Sequence, residues 1–283
     1  MSRKPKALVI YHSHSGNTKK LALEAEKVLN DLGFAAHAVA LRNMDDGLPV
    51  SDPDVVVLGT PVHFWKIPVP ALGLIRALPD FPEAWGFVFA TYGTVFDSNA
   101  LYDLARELRD KGVHIAGGAS VLSPHNFLTP RKKRLGDTYS EFGLGQPGED
   151  VLARFREAVA TVAKRMLRGE PPRFDVRRLA TERPIVTKMD NLLSVEKKRA
   201  ALPRVQHSQD LCRKCGTCLK GCDTGAIRLD GDRVSIDHDK CYRCYNCIRN
   251  CPADALDTDW KTIEKVLRGL KRVVRNTGTR IEY

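Results

Sequence analysis

The first 170 residues alternate short apolar runs with segments of helical periodicity. The apolar runs lie at residues 7–12, 34–40, 54–59, 86–91 and 113–122. Between the first two runs, apolar residues recur at helical spacing on one face, and Gly33 marks a stop. Such alternation is typical of a parallel sheet with helices on both faces. The pattern predicts an α/β fold with a doubly wound parallel sheet of five strands.

The pattern after the fifth apolar run indicates where the domains begin and end. The segment 124–150 is too long to be a compact loop. An amphipathic helix over 151–167 follows it and closes a first domain at 1–170. Residues 171–205 begin with two prolines and keep a helical period only around 190–201, which indicates a partly ordered connector. We expect a small second domain over 206–258, followed by a basic amphipathic helix and tail over 259–283.

The tail combines an apolar stripe with a basic face. The stripe consists of Ile263, Val266, Leu267, Leu270 and Val274. The basic face consists of Lys261, Lys265, Arg268, Lys271, Arg272 and Arg275. The plain interpretation is a helix that packs on the protein through its apolar stripe and exposes its basic face to solvent. A more specific interpretation is that the basic face binds an acidic redox protein. Attachment of the helix to a membrane surface is the next alternative.

Composition narrows the protein class. With 283 residues, of which 43% are hydrophobic and 28% charged, the chain is expected to be a soluble globular protein of about two domains. It contains no apolar run long enough to span a bilayer, and its start shows no signal-peptide pattern, so we expect a cytoplasmic protein. Residues 171–283 carry 24 Lys and Arg against 15 Asp and Glu, which places +9 of the formal +11 in the second part.

A polar loop follows the first predicted strand and precedes the first predicted helix. The unpaired N–H groups and partial positive charge of a helix N-terminus suit a phosphate. Ser, Thr and Asn side chains can add hydrogen bonds, and glycine lets the backbone come close. An ordinary N-cap is the alternative, although it needs only one such residue. The candidate phosphate loop is Ser13, His14, Ser15, Gly16, Asn17 and Thr18.

The stretch VIYHSHSGNTKKLA at residues 9–22 resembles the flavodoxin signature, in which an apolar strand runs into a loop that holds the phosphate of FMN. The resemblance implies a flavodoxin-like fold with FMN as its cofactor. Two later strand ends take the places of the loops that sandwich the flavin ring in that family. They contribute Thr60, Pro61, Val62, His63, Phe64 and Trp65 from one loop, and Thr91, Tyr92, Gly93 and Phe96 from the other. Trp65 and Tyr92 are the candidates for stacking on the flavin.

All eight cysteines lie in two runs near the end of the chain, each with the spacing C-x2-C-x2-C-x3-C. This pattern resembles bacterial two-cluster ferredoxins, in which the fourth cysteine of each run crosses to the other cluster. The resemblance assigns Cys212, Cys215, Cys218 and Cys251 to one 4Fe-4S cluster. It assigns Cys241, Cys244, Cys247 and Cys222 to the other. Two zinc sites are the alternative, but such tight runs suit cubane clusters better. The hairpin expected between the runs would complete a small α+β ferredoxin domain.

One residue departs from the ferredoxin pattern. Asp223 follows Cys222 where the family usually has proline. We expect the backbone after Cys222 to be less rigid than it would be with proline. We also expect the extra carboxylate to lower the reduction potential of the cluster slightly.

Together, the two halves resemble flavodoxin-ferredoxin fusion proteins, the EFR1-like family, found mainly in anaerobes. The resemblance implies electron transfer between FMN and two 4Fe-4S clusters, which couples two-electron and one-electron partners. No glycine-rich NAD(P) fingerprint appears. We expect a redox protein partner, such as an acidic ferredoxin or an oxidoreductase complex, and consider a homodimer possible.

Two other functions compete with electron transfer. The first is an FMN-dependent reductase of a small acceptor such as a quinone, with protons supplied by loop histidines. These are His12, His14, His63 and His125. We assign no catalytic residue, because polar loop residues facing solvent are the plainer interpretation. The second is a nucleic-acid-binding regulator, which the charge allows, but no helix-turn-helix pattern supports it.

Overall fold

A computed structural model describes residues 3–93, 97–125, 143, 145–181, 192–273 and 278–283. The first five strands are β1 (Lys6–Tyr11), β2 (Ala35–Ala40), β3 (Val55–Pro61), β4 (Trp85–Tyr92) and β5 (His114–Leu122). They pair in parallel in the order β2-β1-β3-β4-β5. The side chains of β1, β3, β4 and β5 are mostly buried on both faces because helices cover the sheet above and below. The predicted doubly wound α/β fold is therefore confirmed.

Two apolar layers hold the helices against this sheet. The helices are α1 (Asn17–Asp31), α2 (Val69–Arg76), α3 (Ala100–Arg109) and α4 (Glu149–Leu167). On one face, α1 and α4 bury Leu21, Leu29 and Phe155 completely. On the other face, α2 and α3 bury Ile75 and Leu104 completely. Short 3-10 helices follow β2 at Leu41–Asp46 and precede the second part at Val176–Leu179.

Within the described residues the sheet has six strands, one more than the five that the sequence predicts. The last strand, β10 (Arg280–Glu282), runs antiparallel to β5 and covers its outer edge. This strand is too short for periodicity to reveal it, and its partner lies about 160 residues earlier in the chain. Because β10 follows the cysteine-containing part, the chain returns to the first domain at its end.

The cysteine-containing part folds around a core of its own. Its strands are β6 (Gln206–His207), β7 (Ile227–Asp230), β8 (Arg233–Ile236) and β9 (Leu256–Asp257). Its helices are α5 (Val195–Ala200), α6 (Thr217–Lys220), α7 (Asn246–Asn250) and α8 (Trp260–Val273). The expected hairpin is present as β7 and β8, while β6 pairs with β9. Buried Tyr245, Ile248 and Trp260 join these elements.

Described residues of the connector and of the tail contribute to the apolar cores. Leu179 is fully buried in the core of the first domain, whereas Leu202 and Val205 belong to the core of the second. Helix α8 packs through fully buried Ile263, as its apolar stripe predicts. Other members of the predicted stripe and basic face lie outside the described residues or side chains: Leu267, Leu270, Lys271, Arg272, Val274 and Arg275. The described residues include no helix with the length and apolarity needed to cross a bilayer.

Arg280 fastens the last strand to the first domain. Its guanidinium donates hydrogen bonds to the carbonyl oxygens of Ala180 at 2.7 Å and Leu179 at 2.8 Å. It also contacts the Asp97 carboxylate at 3.3 Å, beyond the end of β4. The Tyr92 hydroxyl donates to the carbonyl oxygen of Gly278. These contacts link the end of the chain to the carboxyl end of the parallel sheet.

Replacing Arg280 with methionine should destabilise the first domain. The substitution keeps an apolar stem but leaves two carbonyl oxygens without their charged donor, which costs about 2 kcal/mol. Urea unfolding followed by far-ultraviolet circular dichroism measures the loss. Arg177→Met is the control, because the ion pair of Arg177 with Asp175 is exposed and contributes little. Equal effects of the two substitutions would contradict this role of Arg280.

Candidate functional site

The candidate phosphate loop lies where the sequence places it, between β1 and α1. Gly16 adopts a φ of 91° directly before the helix, a conformation that glycine tolerates without strain. The Gly16 N–H donates to Ser13 Oγ at 3.2 Å, which folds the loop back on itself. No side chain caps the first turn of α1. The N-terminal N–H groups of α1 are therefore suited to binding an anion.

A cavity opens beside this loop at the carboxyl ends of the parallel strands, and we call it the strand-end cavity. Its empty space, with the solvent-filled mouth included, amounts to about 360 Å³. It is lined by His14, Ser15, Asn17, Pro61, Val62, His63, Thr91, Tyr92, Gly93, Ser123, Pro124 and His125. Four segments that are far apart in the sequence therefore meet at the place where a doubly wound sheet binds its ligand.

The segment after β5 forms a wall that the sequence indicated only in part. Asn17 Nδ2 donates to the carbonyl oxygen of Pro124 at 3.0 Å. A Cβ atom on Gly93 would lie 2.4 Å from the Cα atom of His125, so only glycine fits there. His125, one of the four loop histidines, lines the cavity. Asn126 and Phe127, which follow it, lie outside the described residues.

Several predicted site residues have other contacts. The Thr18 hydroxyl is buried and bonds to the Thr91 hydroxyl at 2.8 Å, and Thr60 is also buried. The ring of Trp65 lies under Lys198, whose Nζ atom is 4.5 Å from the ring centroid. Phe64 packs against Tyr242 of the second domain. Stacking of Trp65 on a flavin stays a prediction, and Phe96 lies outside the described residues.

The strand-end cavity fits FMN. Hydroxyl and amide groups stand beside a helix N-terminus at one end, as a phosphate requires. At the wall, His14 Nδ1 and His63 Nδ1 are buried without a hydrogen-bond partner among the described residues. Buried polar atoms of this kind need a partner, and the polar edges of a flavin could supply one. FMN would bring the redox chemistry of its ring, while these residues would hold its phosphate and orient the ring.

The eight cysteines surround two further cavities, in the grouping that the sequence predicts. The first cysteine cavity encloses about 400 Å³ and is lined by Cys212, Cys215, Cys218 and Cys251. The second encloses about 480 Å³ and is lined by Cys222, Cys241, Cys244 and Cys247. The fourth cysteine of each run thus lies with the three cysteines of the other run.

The surroundings of the sulfur atoms fit 4Fe-4S clusters. Backbone N–H groups donate to Cys222 Sγ at 3.3 Å and to Cys251 Sγ at 3.2 Å. Such bonds stabilise negative charge on sulfur. Burial raises the pKa of the Cys244 thiol to about 12. Burial, with the neighbouring Cys244 and Cys241 thiols, also raises the pKa of Cys247. A group as strongly positive as iron is needed to hold these sulfurs as thiolates.

The phosphate loop and the second cysteine cavity touch. His14 Nε2 lies 2.5 Å from Asp223 Oδ2, and His12 Nε2 lies 3.4 Å from the same oxygen. Arg42 Nη2 is 3.9 Å from Asp223 Oδ1. His14 lines both the strand-end cavity and the second cysteine cavity. A single side chain therefore separates the candidate flavin site from a candidate cluster site.

Aromatic rings form a second bridge between these cavities. The His14 ring stacks on His63 with centroids 5.2 Å apart, and His63 stacks on Tyr242 with centroids 5.9 Å apart. Tyr242 lies between Cys241 and Cys244 in the sequence and lines the second cysteine cavity. Sequence reasoning missed Tyr242, because a tyrosine between two cysteines gives no sign of which domain it faces.

Three of the four loop histidines, His12, His63 and His125, are poor candidates for proton donors. Burial lowers the pKa of His12 and of His125 to about 3. Burial and the neighbouring His14 also place the pKa of His63 well below its ordinary value. These three imidazoles therefore carry no extra proton near neutral pH. The competing interpretation of a substrate reductase that uses them as acids gains no support from this arrangement.

Comparison with known families agrees with both halves. A family described as a flavodoxin domain matches residues 8–82, and a 4Fe-4S dicluster domain matches residues 211–255. The chain therefore contains one segment similar to a flavodoxin domain and a later segment similar to a 4Fe-4S dicluster domain. This combination supports an iron-sulfur flavoprotein with a role in electron transfer. A comparison with curated proteins finds no match.

Several solved structures are similar to part of the chain. A flavodoxin from the domain Archaea is 17% identical and aligns with 57% of this chain and 99% of its own, with a TM-score of 0.42. A Streptococcus pneumoniae flavodoxin is 16% identical over 58% of this chain and 99% of its own, with a TM-score of 0.40. Rubredoxin oxygen:oxidoreductase from Desulfovibrio gigas is 20% identical, with a TM-score of 0.41. That alignment covers 58% of this chain and 38% of the oxidoreductase.

Replacing Ser15 and Asn17 with alanine should weaken FMN binding by at least tenfold. The double substitution removes two polar groups at the helix N-terminus, each with a contribution of about 1 kcal/mol. Fluorescence titration measures FMN affinity, and iron analysis should still give about eight atoms per chain. Ser194→Ala is the control, since Ser194 accepts a hydrogen bond at the N-terminus of another helix. Unchanged FMN affinity in the double variant would contradict the phosphate site.

Proposed function

We propose that electrons pass directly between FMN in the strand-end cavity and a 4Fe-4S cluster in the second cysteine cavity. The observation that carries the proposal is that His14 lines both cavities. FMN exchanges one or two electrons, whereas each cluster exchanges one. The protein would thereby couple a two-electron partner at the flavin to one-electron partners at the clusters.

The two clusters would act in a fixed order. The second cysteine cavity includes His14 and Pro70 of the first domain in its lining. The first cysteine cavity is lined by residues between His207 and Leu256, all from the second domain. Cys215 at the first cavity is exposed. The second cluster would therefore exchange electrons with FMN, and the first cluster would exchange them with an external partner.

The excess positive charge favours an acidic redox protein as that partner. Most of the formal charge of +11 lies in the cysteine-containing half and the tail. Lys261, Lys265 and Arg268 are exposed on helix α8. Opposite charges speed the encounter of redox proteins at low ionic strength. A small acidic ferredoxin or an oxidoreductase complex fits this description. Membership of the EFR1-like family, a homodimer and a cytoplasmic location stay predictions.

Replacing Tyr242 with leucine should slow electron transfer from flavin to cluster. The substitution removes the ring that joins His63 to the second cysteine cavity, so it widens the gap that the electron crosses. Stopped-flow spectroscopy can follow flavin oxidation and cluster bleaching at the same time. Tyr102→Leu is the control, because Tyr102 packs against the first domain's α2/α3 face.

The two rates should agree in the unmodified protein. A flavin that reoxidises at a different rate from cluster bleaching would contradict direct transfer, as would an unchanged rate in the Tyr242 variant. Rapid turnover with quinones, at a rate independent of the clusters, would favour the competing reductase function.

A further inference from the structure

Three potential metal ligands meet at the contact between the two domains. They are His12 Nε2, His14 Nε2 and Asp223 Oδ2, and all three atoms lie within 4.8 Å of one another. The side chains of His12, His14 and Asp223 are 1%, 5% and 11% exposed. His14 belongs to the phosphate loop, and His12 lies directly before that loop. The carboxylate comes from a residue 209 positions after His14. Only folding brings this group together.

His12 Nε2 lies 3.4 Å from the carboxylate but has no hydrogen-bond partner among the described residues. Leaving a buried polar atom unpaired costs about 1 to 3 kcal/mol. Since water reaches little of this side chain, the unpaired nitrogen indicates that the group accommodates a ligand. Imidazole nitrogens and carboxylate oxygens often bind the same metal ion in proteins.

We propose that His12, His14 and Asp223 bind one divalent transition-metal ion between the phosphate loop and the second cysteine cavity. This ion is additional to the iron of the clusters, and the proposal goes beyond electron transfer itself. Two imidazoles and a carboxylate suit zinc or iron(II), with water completing the coordination.

The distances suit such an ion after one small movement. Two ligands at 2.0–2.1 Å from a tetrahedral zinc ion lie about 3.4 Å apart. His12 Nε2 and Asp223 Oδ2 already have that separation. His14 Nε2 and Asp223 Oδ2 are hydrogen-bonded and only 2.5 Å apart, which is closer than two ligands of one zinc ion. A bound ion replaces the proton between these two atoms, releases it to solvent, and moves them apart by about 0.9 Å.

Charge favours a cation at this position. Asp223 is largely buried, and it would lie between the phosphate of FMN and a cluster, each with a charge of about −2. Arg42 contributes one positive charge at the edge of the group, 3.9 Å from the carboxylate. A divalent ion offsets the remaining negative charge. Because its ligands come from both domains, it also fixes the flavin site against the second cluster.

Zinc binding to the holoprotein tests this proposal. Protein loaded anaerobically with FMN and iron-sulfur clusters is titrated with Zn²⁺ by calorimetry, and its zinc, iron and FMN contents are then measured. One zinc ion per chain should bind while iron and FMN contents stay constant. X-ray absorption at the zinc edge should show nitrogen and oxygen at about 2.0–2.1 Å, without sulfur at about 2.3 Å.

His12→Gln and Asp223→Asn should each weaken zinc binding by about 100-fold or more. The two substitutions lie in different domains, so a folding defect in one leaves the other informative. His37→Gln is the matched control, because His37 is exposed on β2, and it should bind zinc normally. Sulfur around the zinc would overturn the proposal, and so would equal affinity in all variants or no binding to the unmodified protein. The last result would leave His14 and Asp223 as a hydrogen-bonded contact between the domains.

Discussion

The contact between His14 and Asp223 is the constraint on which the arrangement of the two domains depends. A phosphate loop needs a helix N-terminus, and a two-cluster ferredoxin needs closely spaced cysteines. Each requirement could be met in a domain of its own. Here the residue after Cys222 reaches a histidine inside the phosphate loop at 2.5 Å. The candidate flavin site and the second cysteine cavity therefore share a wall, and neither domain can move far without breaking that contact.

The last strand strengthens this arrangement. The chain leaves the first domain after α4, builds the second domain, and returns to pair β10 with β5. Arg280 and the carbonyl oxygen of Gly278 contact residues near the carboxyl end of the sheet. The second domain is therefore held at both ends of its sequence, through the buried Leu179 on entry and β10 on return. Such double attachment favours a fixed distance between cofactors over a mobile linker.

The sequence alone was sufficient to predict those parts of the fold and of the candidate sites that depend on local patterns. The parallel strands follow from buried apolar runs, and the grouping of Cys222 with Cys241, Cys244 and Cys247 follows from spacing. Contacts between the domains could not be predicted, since they depend on surfaces that no local pattern describes. Asp223 was recognised as unusual, but we expected a looser chain exit rather than a bond to His14. Likewise, three residues at β10 carry too little periodicity to indicate a sixth strand.

The central claim is that the FMN phosphate lies beside the second cluster. Phosphorus NMR of bound FMN tests this directly, because unpaired electrons on a nearby reduced cluster broaden the phosphorus resonance. We expect a narrow resonance in protein prepared without clusters, and a strongly broadened one when the flavin is fully reduced and the clusters carry an electron. A resonance of equal width in both preparations would contradict the shared wall between the two sites.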